Sequence, residues 1–286
     1  MLAGSKLSIG FVVCAGLLCL LHQRMKGEEF EALKASVENR SPIHSPQSPN
    51  STSGVATEGA ALFAEMRAAL STARQEASEL ESYTAVMEMQ EEVNGQLKPL
   101  SNIKFKLRKQ PFSVYMRWEH NGQEALFVDG QNSGRLLAKH ANGLAAIKRL
   151  WRLDPESRMA KQGCRYPITA SGLENLVNRV HDFYSERDDW TSAVTCCASL
   201  AAEAGTDFSI YEMRFKSREF SPIYSASRLS FEVSSGLLLR VQNYGWTELP
   251  APRLLEHYVF RSVDPSAELG DHDFDEKNSE YEFVAR

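Results

Sequence analysis

Two Asn-Gly pairs, Asn94-Gly95 and Asn121-Gly122, each set between runs of alternating apolar and polar residues, constrain this chain more than any other feature. Asn and Gly tolerate the left-handed backbone that a tight hairpin turn demands, so each pair predicts antiparallel strands joined to their sequence neighbours. Before the first pair, Tyr83, Ala85, Met87 and Met89 alternate with Thr84, Glu88 and Gln90; after it, Ile103, Phe105 and Leu107 alternate with Lys104, Lys106 and Arg108. The second pair separates Phe112, Val114, Met116 and Trp118 from residues 125–128 (ALFV). Pro111 marks the start of that third strand, and residues 130–134 (GQNSG) turn the chain into a further one over 135–140. Five strands in a meander are predicted.

Helical spacing brackets the meander. Leu62, Met66, Leu70, Ala73, Ala77 and Leu80 predict an amphipathic helix over residues 60–80. Residues 171–174 (SGLE) read as a capping box, followed by Leu173, Leu176, Val177, Val180 and Phe183 on one face of a second helix. Strands resume over 208–216, 226–233, 237–244 and 255–260. The predicted fold class is α+β, a large antiparallel sheet with helices packed on one face, and a sheet this wide curls.

The N-terminal quarter follows different rules. Residues 7–21 (LSIGFVVCAGLLCLL) are apolar but for Ser8, with Lys6 before them and Arg24 and Lys26 after. Fifteen residues fall short of a comfortable span, but Ala3, Gly4 and a snorkelling Lys6 extend the segment. A small-residue cleavage pattern at Val13 and Ala15 would leave Leu17 to Leu21 in the mature chain, so residues 1–26 read as an uncleaved signal-anchor, with cleavage and export the alternative. Flanking positive charges nearly balance and do not set the orientation. Residues 27–59 read as a short stalk and a Ser- and Pro-rich disordered tether, leaving 60–286 as one domain.

Chemistry is sparse. The formal charge of -5 gives no reason to expect nucleic acid, and the lysines of residues 104–109 fall on the wet face of a strand. The sequence contains no HExxH, GxSxG, Walker or GxGxxG pattern, so no catalytic residue and no cofactor is assigned. Asp271, Asp273 and Asp275 with Glu282 have the spacing of a calcium loop, but Glu276 stands where that loop needs Gly; an acidic, solvated tail is expected and no metal. Of five cysteines, Cys14 and Cys19 lie in the apolar segment. A bridge from Cys164 to Cys196 or Cys197 would close a loop of about thirty residues, with three free buried thiols as the equal alternative.

Residues 109–118 (KQPFSVYMRW), 124–136 (EALFVDGQNSGRL) and 165–172 (RYPITASG) resemble a family of exported proteins, mainly from planctomycete bacteria, described only as a domain of unknown function. The resemblance spans about residues 80–283. That family is distantly similar to the LolA/LolB-like lipoprotein carriers, and Tyr258 to Val263 followed by Leu269, Asp271 and Phe274 fits the way such domains finish. The resemblance implies a half-barrel sheltering an apolar ligand and supplies no catalytic residues; a retained anchor departs from a soluble shuttle.

Together these readings lead to an inner-membrane-anchored domain in the periplasm that binds a lipid, lipoprotein acyl chain or other apolar envelope molecule without catalysis. The candidate liners, taken from apolar strand faces, are Phe112, Met116, Trp118, Phe127, Tyr211, Met213 and Phe231. The rival is an interaction or sensor module with an envelope protein partner.

Overall fold

The computed structural model describes residues 52–139, 150–187 and 189–283. The signal-anchor, most of the tether, Cys14 and Cys19 lie outside the described residues. Among the described residues, no helix is long and apolar enough to cross a membrane.

The chain runs α1 (Thr52–Glu79), β1 (Ser82–Val93), β2 (Gln96–Leu97), β3 (Ser101–Arg108), β4 (Ser113–Trp118), β5 (Glu124–Val128), β6 (Leu136–Lys139), β7 (Trp151–Leu153), α2 (Leu173–Ser185), α3 (Trp190–Ala193), β8 (Val194–Glu203), β9 (Thr206–Phe215), β10 (Tyr224–Glu232), β11 (Leu238–Gly245) and β12 (Arg253–Asp264). All pairings are antiparallel, in one open sheet of order β7-β6-β5-β4-β3-β1-β12-β11-β10-β9-β8, with the short β2 paired to β1. The meander is as the turns predict. Asn94 and Gly95 both take positive φ at the β1–β2 turn, and Gly122 does so between β4 and β5. The last strand closes against the first, Met87 facing Phe260, so two meanders meet in the middle of the sheet.

Eleven strands laid flat at about 4.8 Å would span roughly 50 Å. Yet side chains from β4 at one side and β9 at the other share one buried cluster with the same helices. The sheet therefore curls around α1 and α2, with Phe63, Met66, Leu70, Ala73 and Ala77 of α1 facing inward at helical spacing. Phe183, Tyr184, Trp190 and Phe215 pack at ring distances of 5.0–5.8 Å, edge to face except for the tilted Phe183–Trp190 pair, with the more distant Tyr184–Phe215 pair stacked.

Four sequence expectations need correction. Helix α1 begins at Thr52, inside the stretch assigned to the tether. The cap of α2 is Gly172, not a Ser171–Glu174 box: the Leu173 N–H is satisfied by Tyr83 Oη at 2.8 Å, and Glu174 pairs with Lys109 at 3.4 Å. Only Gly fits there, because φ is +100° and a Cβ would lie 2.4 Å from Leu107 Cδ1.

The C-terminal tail packs on the sheet, although its acidic side chains Asp271, Asp275 and Glu280 stay exposed. It forms a 3-10 turn over Asp271–Phe274 and covers the outer face of β4–β6, where Phe274, Tyr281 and Phe283 bury Tyr115, Leu126, Val128 and Leu137. Tyr281 stacks on Tyr115 at 3.8 Å, and Arg108 and Lys106 of the supposedly wet face pair with Asp271 and Asp273, both at 2.8 Å. Finally, Cys164, Cys196 and Cys197 are unbridged: Cys164 sits beside Glu91, whereas Cys196 and Cys197 lie on β8 at the sheet edge. All three thiols are free, but only Cys196 is buried; Cys164 is partly exposed and Cys197 exposed.

Candidate functional site

Over β8–β11 the inner face of the sheet is covered by helices, with a hollow left under β10 and β11. Over β1 and β4–β7 its cover is instead the connector of residues 154–172, together with the first turns of α2, and the fit is incomplete. A cleft remains between them, lined by Met87, Met89, Met116, Trp118, Ala125, Leu136, Ala138, Leu153, Ile168, Leu176 and Phe260, with Glu91, Tyr166, Arg179 and Tyr258 at one end. Its cavity volume is about 120 Å³, opening into a mouth that brings the total space to about 1010 Å³. Its walls are mostly apolar, as in sites for apolar ligands, but its enclosed volume is below that of a usual small-molecule site, so a bound chain would lie partly in the open mouth. A second hollow, sharing Tyr166, Leu176, Arg179 and Tyr258, continues toward Tyr224, Asn243 and Glu256.

The polar end has a definite construction. Glu91 on β1 faces Glu256 on β12, Glu256 faces Asn243 on β11, and Asn243 faces Ser227 on β10, a row across four strands. All four are buried. Glu256 accepts from Tyr166 Oη at 3.0 Å, Tyr224 Oη at 3.1 Å and Asn243 Nδ2 at 2.7 Å, and pairs with Arg165 Nε at 2.8 Å. Ser227 Oγ donates to Asn243 at 2.7 Å. Glu91 accepts from Tyr258 Oη and, at 2.9 Å, from the Arg165 backbone N–H.

Two carboxylates facing each other in register inside a protein repel unless compensated. For Glu256 the Arg165 guanidinium supplies that compensation. For Glu91, burial outweighs its hydrogen bonds and holds its carboxyl above the usual range, so it keeps a proton more readily. Burial likewise pushes the neighbouring Cys164 thiol up to about 12, which makes it a poor nucleophile. Tyr258 and Tyr224 are raised as well, by burial first and then by the nearby carboxylates.

The row also holds the roof in place. Arg165 and Tyr166 belong to the connector, so their bonds to Glu91 and Glu256 tie it across the cleft, and the Arg179 guanidinium lies 4.4 Å from the Tyr166 ring. Among the described residues, no group of three or more His, Cys, Asp or Glu is arranged to hold a metal ion.

Of the seven candidate liners, Met116 and Trp118 face the cleft. Phe127 packs behind its wall with Leu136 and Ala138, 6.2 Å from the half-buried Phe112. Tyr211, Met213 and Phe231 are core under α1: Tyr211 Oη donates to Glu65 at 2.7 Å, and its ring lies 5.9 Å from Phe231. The sequence reading missed Glu91, Glu256 and Asn243, although a signal was present. Each shares strand parity with inward apolar residues: Glu91 with Met87 and Met89, Glu256 with Tyr258 and Phe260, Asn243 with Val241.

Comparison with known proteins gives a family and several loose overlaps. No functionally curated protein sequence matches the chain. Among solved structures, MucB overlaps at a TM-score of 0.39 and 15% identity, taking in 80% of this chain and 64% of MucB, so the chain spans less than two thirds of that protein. The lipoprotein LppX of Mycobacterium tuberculosis overlaps at 0.39 and 12% identity, over 71% of this chain and 95% of LppX. A LolA superfamily protein from Nitrosomonas europaea overlaps at 0.30 and 11% identity, over 73% and 96%. Overlaps this loose carry no argument about what the chain binds, which is drawn from the cleft itself. Residues 80–283 match the family described as protein of unknown function DUF1571, and the chain belongs to that family.

Proposed function

We propose that this chain is a non-catalytic binding domain that shelters an acyl chain, of a lipid or a lipoprotein, between the sheet and the connector. In this reading the N-terminal apolar segment holds the domain to the inner membrane, facing the periplasm. The observation that carries it is the cleft, whose walls are mostly Met, Leu, Ala, Ile, Phe and Trp side chains, roofed by the connector and the first turns of α2. At about 25 cal/mol per Å² of apolar surface removed from water, an acyl chain of several hundred Å² is enough for micromolar binding after association costs. Met87 and Met89 on β1 and Met116 on β4 suit a flexible hydrocarbon because their side chains adapt to its shape.

The test is native mass spectrometry with lipid extraction on the full chain purified from bacterial membranes. Co-purifying lipid that disappears in Trp118→Asp, with the fold intact by circular dichroism, is expected. An empty protein that also takes up no fluorescent fatty-acid ester ends this reading.

A second reading, binding of a protein partner by strand addition, is favoured by one observation. β8 is the sheet's long edge; from Val194 to Ala202 it carries no charge, and Leu200 is 81% exposed. Uncharged edges of this length are templates for another strand. Pull-down of an envelope protein that is lost on Leu200→Lys while lipid is retained would favour it.

A further inference from the structure

The acyl-chain reading leaves open what kind of head the ligand carries, and one side chain between the two spaces speaks to that. Among the described residues lining the cleft or the second hollow, Arg179 of α2 alone is basic, and it lines both. Its guanidinium is held without being neutralised. Nη1 donates to the Ala170 carbonyl at 2.7 Å, and the group lies 4.4 Å from the Tyr166 ring, which fixes its position. Among the described residues no carboxylate pairs with it, and the Nε–Nη2 edge has no protein acceptor. That edge carries the two parallel donors that grip a carboxylate or phosphate.

The carboxylates around Arg179 are answered elsewhere. Glu256, in the second hollow, is matched by Arg165 at 2.8 Å and accepts from Tyr166, Tyr224 and Asn243 besides. Glu91 lines the cleft but not the second hollow, and burial holds its carboxyl toward the neutral form. Asp182 and Glu186 line the hollow at exposed positions, where water screens them. What stands at the junction without a counter-charge is Arg179. The spaces on its two sides also differ. The cleft is mostly apolar, whereas the second hollow, with a cavity volume of about 350 Å³, has Tyr224, Ser227 and Asn243 in its walls.

We propose that Arg179 receives the singly charged oxyanion head of an acyl amphiphile, a fatty carboxylate or a lysophospholipid phosphodiester, with the chain in the cleft and the rest of the head in the second hollow. This rests on the acyl-chain reading above. One guanidinium matches one negative charge. A second, as on a phosphate monoester, would face Glu256, Asp182 and Glu186 without a partner.

The test uses the full chain in an uncharged amphipathic polymer and reads tryptophan fluorescence. The probes are dibrominated stearic acid, the matching lysophosphatidylglycerol and the matching monoacylglycerol, whose head is neutral. Bromine quenches an indole only on contact, and Trp118→Phe identifies the share of quenching that comes from the cleft. At about pH 8, where a fatty carboxyl is ionised, at least one of the two anions should half-quench about tenfold or more below the monoacylglycerol, and that anion names the source of the head. Arg179→Gln, with near-ultraviolet circular dichroism unchanged, should weaken that anion about tenfold and leave the monoacylglycerol within about twofold. Arg179→Lys, which keeps the charge but not the fork, should retain part of the preference. A monoacylglycerol that binds as tightly as both anions overturns the proposal. So does an anion preference unchanged in a folded Arg179→Gln, or an equal weakening of all three probes in it, which would make Arg179 a support of the connector. Quenching by none of the three fells the acyl-chain reading itself and this proposal with it, and the wild-type comparison decides even where a variant does not fold.

Discussion

The two sides of one inner sheet face differ in what covers them. Under α1 and α2, β9–β11 present Tyr211, Met213, Leu229, Phe231 and Val241, all buried in the core with the Phe183–Tyr184–Trp190–Phe215 aromatic group, although Leu229 and Val241 also line the second hollow. On the other side, β1 and β4–β7 present residues of the same kind, Met87, Met116, Trp118, Leu136 and Leu153, but their cover is an irregular connector fastened through Arg165 and Tyr166. An apolar strand face thus has two outcomes, core or cleft. The covering segment decides between them, and the strands do not.

The comparison can be broken by substituting a large aromatic on each side. Trp190→Ala, on the helix-covered side, should cost about 3–5 kcal/mol in urea unfolding and leave the ligand affinity of the remaining folded protein unchanged. Phe274→Ala, in the tail that covers the outer face, should cost about 3 kcal/mol by the same measurement; a solvated tail would show no change. Trp118→Ala should cost less than Trp190→Ala, about 2 kcal/mol, because its side chain is only partly buried and faces the cleft, but should weaken acyl-chain binding at least about tenfold by fluorescence titration. If Trp118→Ala instead destabilises as much as Trp190→Ala, the two sides are alike and the cleft is core.

The smallest expected effect is one of pH. His257 on β12 lies among Glu88, Arg240 and Arg261, and its pKa is lowered from the ordinary 6.5, by burial first. The unfolded chain then takes up a proton before the folded one does. Stability present above about pH 6.5 is lost as the pH falls from there toward the lower folded value. Tm measured between pH 7.5 and 5.5 should fall, and His257→Gln should reduce the slope by an amount worth less than about 1 kcal/mol.

What the sequence made legible follows from how each signal arises. Alternation and Asn-Gly turns are local, so β1, β3, β4 and β5 were readable in place. β8 was not, because residues 196–202 (CCASLAA) lack alternation and β-branched side chains; a full register with β9, from Val194–Phe215 to Glu203–Thr206, holds it in the sheet. The SGLE cap failed for a tertiary reason: Tyr83, ninety residues upstream, supplies the bond that a capping box would have made. The tail was misread because Phe274, Tyr281 and Phe283 are spaced without a period among acidic residues, whose partners Lys106 and Arg108 lie far away in sequence. For the site, apolar parity found Met116 and Trp118. It passed over Glu91 and Glu256: their parity with inward apolar residues was readable, but that they face each other shows only once β1 and β12 are known to be neighbours.

That neighbouring bears on the order in which the molecule is assembled. A chain emerging from its N-terminus can stack β3 to β7 beside β1 as each hairpin is completed, but the other edge of β1 stays bare until β12 arrives, with Glu88 meeting Val259. Contacts this distant in sequence are slow to form. A truncation at the C-terminus therefore removes the seam of the sheet rather than its margin, leaving two half-sheets, each with an open edge free to pair with the wrong chain.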